Sequence, residues 1–178
     1  FFSGWGIRTL ASTQARYNPM SYHNGSIWPH DNALIAVGMA RYGHTEAAMR
    51  LLSGMFDASL YFDQHRLPEL FCGFPRRPGE GPTLYPVACS PQAWAAAAVF
   101  GLLQASLGID LDVDKRELSL HAPQLPSFID WVRIPPLELG DASVDLVLNR
   151  YRNNVGVDIL RRQGDIAVTV GVWSPAAP

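Results

Sequence analysis

Trp28-Pro29-His30-Asp31-Asn32-Ala33-Leu34-Ile35-Ala36-Val37-Gly38-Met39-Ala40-Arg41-Tyr42-Gly43 decides how the first half of this chain is read. Proline suits the first turn of a helix, where its missing N–H costs nothing, and glycine suits the position just past the end. The spacing predicts a helix from Pro29 to Tyr42. Its interior, Ala33 to Ala40, is apolar on every face, so this helix should be enclosed. A second helix is expected from Thr45 to Ser59, with Thr45 as N-cap and Glu46 favourable in the first turn. Ala47, Ala48, Leu51, Leu52, Met55 and Phe56 share one face, so it is amphipathic and belongs outside. A third is expected from Pro91 to Leu107, opened by Ser90 as N-cap and closed by Gly108. Its run Gln92-Ala93-Trp94-Ala95-Ala96-Ala97-Ala98-Val99-Phe100 is again apolar nearly all round, and Trp94 reads as core. Enclosed, amphipathic, enclosed is the order that two concentric rings of helices produce.

Outward from the helices, composition sets bounds. Of 178 residues, 48% are hydrophobic, enough for a sizeable core, and the net charge of −2 carries no basic footprint for nucleic acid. The longest apolar run, Ala93 to Leu103, is too short to span a bilayer, so no membrane partner is expected. Cys72 and Cys89 form no metal pattern and read as buried free thiols rather than a disulfide. Residues 1–108 hold 13 of the 30 charged side chains, and the shift at Gly108 marks a boundary between residues 1–108 and 109–178. The connection from Tyr61 to Cys89 is rich in Pro and Gly yet carries enough apolar side chains to be packed. Beyond Leu111 the pattern turns to period two at Glu117–His121, Ile129–Ile134 and Ile166–Val172, with turns at Asn153-Asn154 and Gln163-Gly164. That predicts a small antiparallel β module. The chain begins at Phe1 in what reads as the middle of a folded unit, so it is expected to be part of a longer one.

Chemistry concentrates ahead of the first helix. Tyr17-Asn18-Pro19-Met20-Ser21-Tyr22-His23-Asn24-Gly25-Ser26-Ile27-Trp28 sets aromatic faces beside amide and imidazole groups, which is what a sugar site needs. Glu69 is an isolated carboxylate in the apolar stretch Leu67-Pro68-Glu69-Leu70-Phe71. Either it pairs with Arg66, Arg76 or Arg77, or it is a catalytic acid or base. Asp31 sits in the first helical turn, where the dipole favours its charge, and it can also accept hydrogen bonds from sugar hydroxyls. His23, His30 and Asp31 match no zinc spacing, so no metal is assigned. Trp5 and Arg8 pair an aromatic face with a fork of donors, or are a core Trp and a surface Arg.

Gly4-Trp5-Gly6-Ile7-Arg8-Thr9-Leu10, Tyr22-His23-Asn24-Gly25-Ser26-Ile27-Trp28-Pro29-His30-Asp31-Asn32 and Leu67-Pro68-Glu69-Leu70-Phe71, in that order, resemble the C-terminal part of bacterial amylo-α-1,6-glucosidase (glycogen-debranching-like) proteins. More distantly, the chain is similar to the family 63 glycoside hydrolases. The resemblance implies a mainly α chain, a portion of an (α/α)6 barrel, followed by the small β module. The first and third helices would be inner and the second outer. By the same analogy Glu69 is the general base of an inverting hydrolase acting on α-glucosidic linkages. Tyr22, His23, Asn24, Trp28, His30 and Asp31 would line the sugar subsite, with Trp5 and Arg8 nearby. The two carboxyl groups of such a pair sit about 6.5–9.5 Å apart to admit the water. No residue here matches the general acid.

The expected partners are an oligosaccharide or α-glucoside substrate and the missing N-terminal part of the same barrel; no cofactor is expected, and the expected location is cytoplasmic. Branched glucan, a short α-glucoside and a mannosyl- or glucosylglycerate all fit the subsite. The alternative is a non-catalytic carbohydrate-binding or scaffold fragment, in which the aromatic cleft persists without chemistry.

Overall fold

The computed structural model describes residues 1–152 and 154–171. Among these residues three α-helices, α1 (Pro29–Arg41), α2 (Thr45–Ser59) and α3 (Ala93–Leu107), precede six strands. The ends of α1 and α2 fall within a residue of expectation, and Gly108 closes α3 with φ +59°. The caps differ: His44 and Gln92, not Thr45 and Ser90, hold the N-cap positions, and no side chain caps either helix. Gly101 of α3 approaches Ala33 of α1 so closely that an added Cβ would sit 3.3 Å from the alanine methyl. The alanines of α3 let these two helices nest.

The expectation of a mainly α chain forming a portion of an (α/α)6 barrel is overturned. Helix and strand take similar shares of the described residues, and the strands make two small sheets. The enclosed helices are not enclosed in this chain either. Leu34 and Val37 of α1 and Trp94, Val99 and Phe100 of α3 face outward, with Phe100 74% exposed. Uniform apolarity marks a helix that tolerates burial on any side; it does not count the layers around it. α2 follows its reading more closely: Ala48, Leu51, Leu52 and Met55 of the expected face are buried, although Phe56 is exposed.

In the second half, β1 (Ile109–Asp112) pairs antiparallel with β2 (Glu117–His121), and β2 pairs parallel with β6 (Ala167–Gly171). Strands β3 (Trp131–Leu139), β4 (Ala142–Arg150) and β5 (Val155–Gln163) form an antiparallel meander. Its register slips at Pro135-Pro136, which have no N–H to give the ladder. The module is therefore not purely antiparallel. Gly164, at φ +72°, ends β5 and sends the chain across to the other sheet, so Gln163-Gly164 joins no hairpin. Asn153 of the expected Asn153-Asn154 turn and Val172 of the expected last strand lie outside the described residues.

Two apolar cores result. One joins Trp5, Ile27, Leu51, Met55, Phe71 and Leu102 among the helices; the other joins Leu107, Leu118, Leu120, Val144, Leu146 and Leu148 of both sheets. Ser106 links them through its hydroxyl, which donates to the Gln124 carbonyl at 2.7 Å, and Phe56 stacks on Phe128 at 4.7 Å.

Candidate active site

The three motifs are distant in sequence and adjacent in space. Single β-bridges run from Arg8 to Ile27, from Ile27 to Phe71 and from Phe71 to Leu84. The Ile27 and Phe71 backbones exchange both hydrogen bonds, at 2.9 and 3.0 Å. Gly73 tightens the joint. An added Cβ there would lie 1.6 Å from the Gly25 carbonyl oxygen, so only glycine lets the segment after Glu69 pass the aromatic loop. The Gly73 carbonyl also accepts from Arg8 Nε at 2.5 Å and from the Tyr17 hydroxyl at 2.9 Å. Asn32, fully buried, bonds through its amide to both backbone groups of Ile7 and to the Trp28 carbonyl, tying the first motif to α1.

Glu69 sits at the end of this ladder, 8% exposed. Its Oε1 accepts from the Tyr22 hydroxyl at 2.5 Å, and its Oε2 accepts from the Cys89 backbone N–H at 3.0 Å. None of the arginines expected as partners reaches it: Arg76 pairs with Asp57 at 2.6 Å and Arg77 with Glu80 at 3.2 Å. The Tyr22 bond first, then the Cys89 amide, outweigh burial and hold the Glu69 pKa below the ordinary carboxylate range. The carboxylate is thus ionised at neutral pH without a cation. The same bond pushes the Tyr22 pKa up to about 12, so the phenol keeps its proton.

Aromatic rings surround that pair. Tyr22 packs edge-on against His23, Trp28 and Tyr85 at centroid distances of 4.6, 4.7 and 5.8 Å. Trp28 is buried, and its indole N–H donates to Ser26 Oγ at 2.9 Å and more loosely to the Tyr22 carbonyl. His30 stacks on Trp94 at 4.2 Å and places Nε2 3.1 Å from Asp31 Oδ1. Trp94, read as core, is instead 51% exposed beside the site. His30 Nδ1 and Gln92 Oε1 are buried and have no hydrogen-bond partner among the described residues.

The structure therefore brings Tyr22, His23, Trp28, His30, Asp31 and Glu69 into one neighbourhood. Asn24 lies exposed on the same loop. Trp5 and Arg8 are placed differently. Trp5 is buried in the helical core under the Arg76 guanidinium, and Arg8 is buried with its donors committed to the carbonyls of Gly73, Phe1 and Phe2. Sequence reasoning missed Gly73, Asn32, Gln92 and the Cys89 amide; a buried-helix asparagine and a glycine two residues past Phe71 were the available signals. Cys89, expected buried, is exposed, and both cysteines are free. Among the described residues no three His, Cys, Asp or Glu side chains cluster as a metal site, and no helix is long and apolar enough to cross a membrane.

Residues 1–71 match the family model described as Mannosylglycerate hydrolase MGH1-like glycoside hydrolase domain. No curated protein matches the chain. The match takes in the whole aromatic loop and Glu69. The segment that carries Tyr22, Trp28, Asp31 and Glu69 is thus similar in sequence to a glycoside hydrolase domain.

Proposed function

We propose that this chain supplies the general base of a glycoside hydrolase that cleaves an α-glycosidic bond with inversion, and that Glu69 is that base. The observation that supports the reading is a buried carboxylate kept ionised by a phenol and an amide rather than by a cation. Such a group is held ionised and in a fixed orientation, with no cation blocking the approach of a water to its oxygens. Water attacks the anomeric carbon and passes its proton to Glu69. A carboxylic acid on the opposite face protonates the departing glycosidic oxygen. No residue of this chain is assigned to that acid. Asp31, held beside His30, is read as a substrate holder, and the Tyr22–Trp28–His30–Trp94 rings as the apolar wall for a pyranose face.

The substrate is taken to be a small α-glycoside. Mannosylglycerate, named in the description of the matched family, is the first compound to try, with a short α-glucoside and a branched glucan next. The amylo-α-1,6-glucosidase activity rests on motif resemblance alone. The test is Glu69→Gln in the protein that carries this chain. Turnover should fall by about 10²–10⁴-fold while glycoside binding persists, and the wild type should release the product of inverted anomeric configuration first. Undiminished turnover in that variant overturns the assignment.

A further inference from the structure

We infer that Tyr22 is a positioning residue for Glu69, its hydroxyl fixing one carboxylate oxygen while the Cys89 backbone N–H fixes the other. The consequence for catalysis rests on the reading of Glu69 as the base. Two donors, one on each oxygen, define the plane of a carboxylate, because rotation about its last C–C bond would break both bonds at once. Each oxygen retains a further lone pair for a water or a hydroxyl.

The donors themselves are anchored. The Glu69 N–H returns a bond to the Cys89 carbonyl at 2.9 Å, so residues 69 and 89 are locked by backbone. The Tyr22 ring is gripped edge-on by His23, Trp28 and Tyr85, which sets where its hydroxyl points. Its loop is held in turn by the Ser26 hydroxyl, which donates to the Tyr22 carbonyl at 2.6 Å. A phenol suits this task better than lysine or arginine. It fixes one carboxylate oxygen by a hydrogen bond without setting a cation beside the position that the attacking water must reach.

The test is Tyr22→Phe, which removes one oxygen and keeps the ring, read by carbon-13 titration of the Glu69 carboxyl and by the acid limb of kcat/KM. Glu69→Gln identifies the carboxyl signal. In the wild type that signal should titrate below the ordinary glutamate range. In Tyr22→Phe it should move up by about one pH unit, a tenfold change in the protonation constant, with the acid limb following and KM changing less than kcat. A carboxyl titration indifferent to Tyr22→Phe overturns the proposal. A carboxyl that moves while the acid limb stays put supports Tyr22 as the holder of Glu69 and overturns Glu69 as the base. If Tyr22→Phe fails to fold, Glu69→Asp serves. Its carboxyl, one methylene short of the Tyr22 hydroxyl, should titrate in the ordinary range, and a persistently lowered value overturns the proposal.

Discussion

Glu69 in the helical half and Asp145 in the β half are both buried carboxylates, 8% and 5% exposed, and both have pKa values held below the ordinary range. Their partners differ in kind. Asp145 receives two hydrogen bonds from one guanidinium, Arg133 Nε at 3.2 Å and Nη2 at 2.6 Å, and its charge is cancelled where it stands. Glu69 receives one bond from a phenol and one from a backbone amide, and no cation among the described residues pairs with it. Burial alone therefore does not mark a catalytic acid or base. What separates the two is whether the negative charge is neutralised or only solvated by neutral donors.

The sharpest way to break this contrast is to neutralise each carboxylate in turn. Glu69→Gln should lower turnover by about 10²–10⁴-fold, the range for loss of a general base, a far larger effect than its drop in melting temperature. Asp145→Asn should do the reverse, lowering the melting temperature by a few degrees and sparing turnover. Equal effects of the two on activity would dissolve the distinction. Next in size is the core beneath Asp145. Leu146, fully buried between the sheets, should cost about 2–5 kcal/mol on replacement by alanine, measured by denaturant unfolding.

Gly73→Ala probes the other half. Its methyl collides with the Gly25 carbonyl, so it should destabilise by about 1–3 kcal/mol and displace Tyr22 from Glu69, costing turnover as well as stability. Acid sharpens the comparison further. A carboxylate whose folded pKa is depressed contributes stability that is complete above its unfolded value, about pH 4, and lost as pH falls through the folded value. Melting curves taken at decreasing pH should therefore drop steeply below about pH 4 in the wild type and less steeply in Asp145→Asn. The smallest effect is expected of Trp94→Ala. It removes the ring stacked on His30, an interaction worth about 0.5–1.5 kcal/mol, and should raise KM a few-fold with kcat nearly unchanged.

Much of the local structure is legible in the residues themselves. Pro29 and Gly43 bound α1, the periodicity of Leu51, Leu52 and Met55 defines α2, and Gly108 ends α3. The alternation at Glu117–His121 marks β2. β4 left no such mark: as the middle strand of its sheet it buries Val144, Asp145 and Leu146 in succession, and a bulge after Asp145 breaks the period. The prominence of Glu69 was legible because a carboxylate flanked by Pro68 and Leu70 must be stabilised by something. Its stabiliser was not. The nearby arginines were the obvious partners by proximity in sequence, and the actual donor, Tyr22, lies 47 residues upstream.

Sequence alone determined which residues are chemically unusual: the Tyr22-to-Asp31 loop, Glu69, and helices too apolar to stand in water unaccompanied. These follow from side-chain solvation and backbone preference, which are properties of short stretches. Only the tertiary structure decided that three motifs meet through the Ile27–Phe71 bridge, and that Arg8 is spent on backbone carbonyls. It alone decided that helix and strand share the chain in two cores rather than in a barrel. Those outcomes depend on which distant groups compete for the same donor or the same apolar face, and that competition is settled only when the chain is folded.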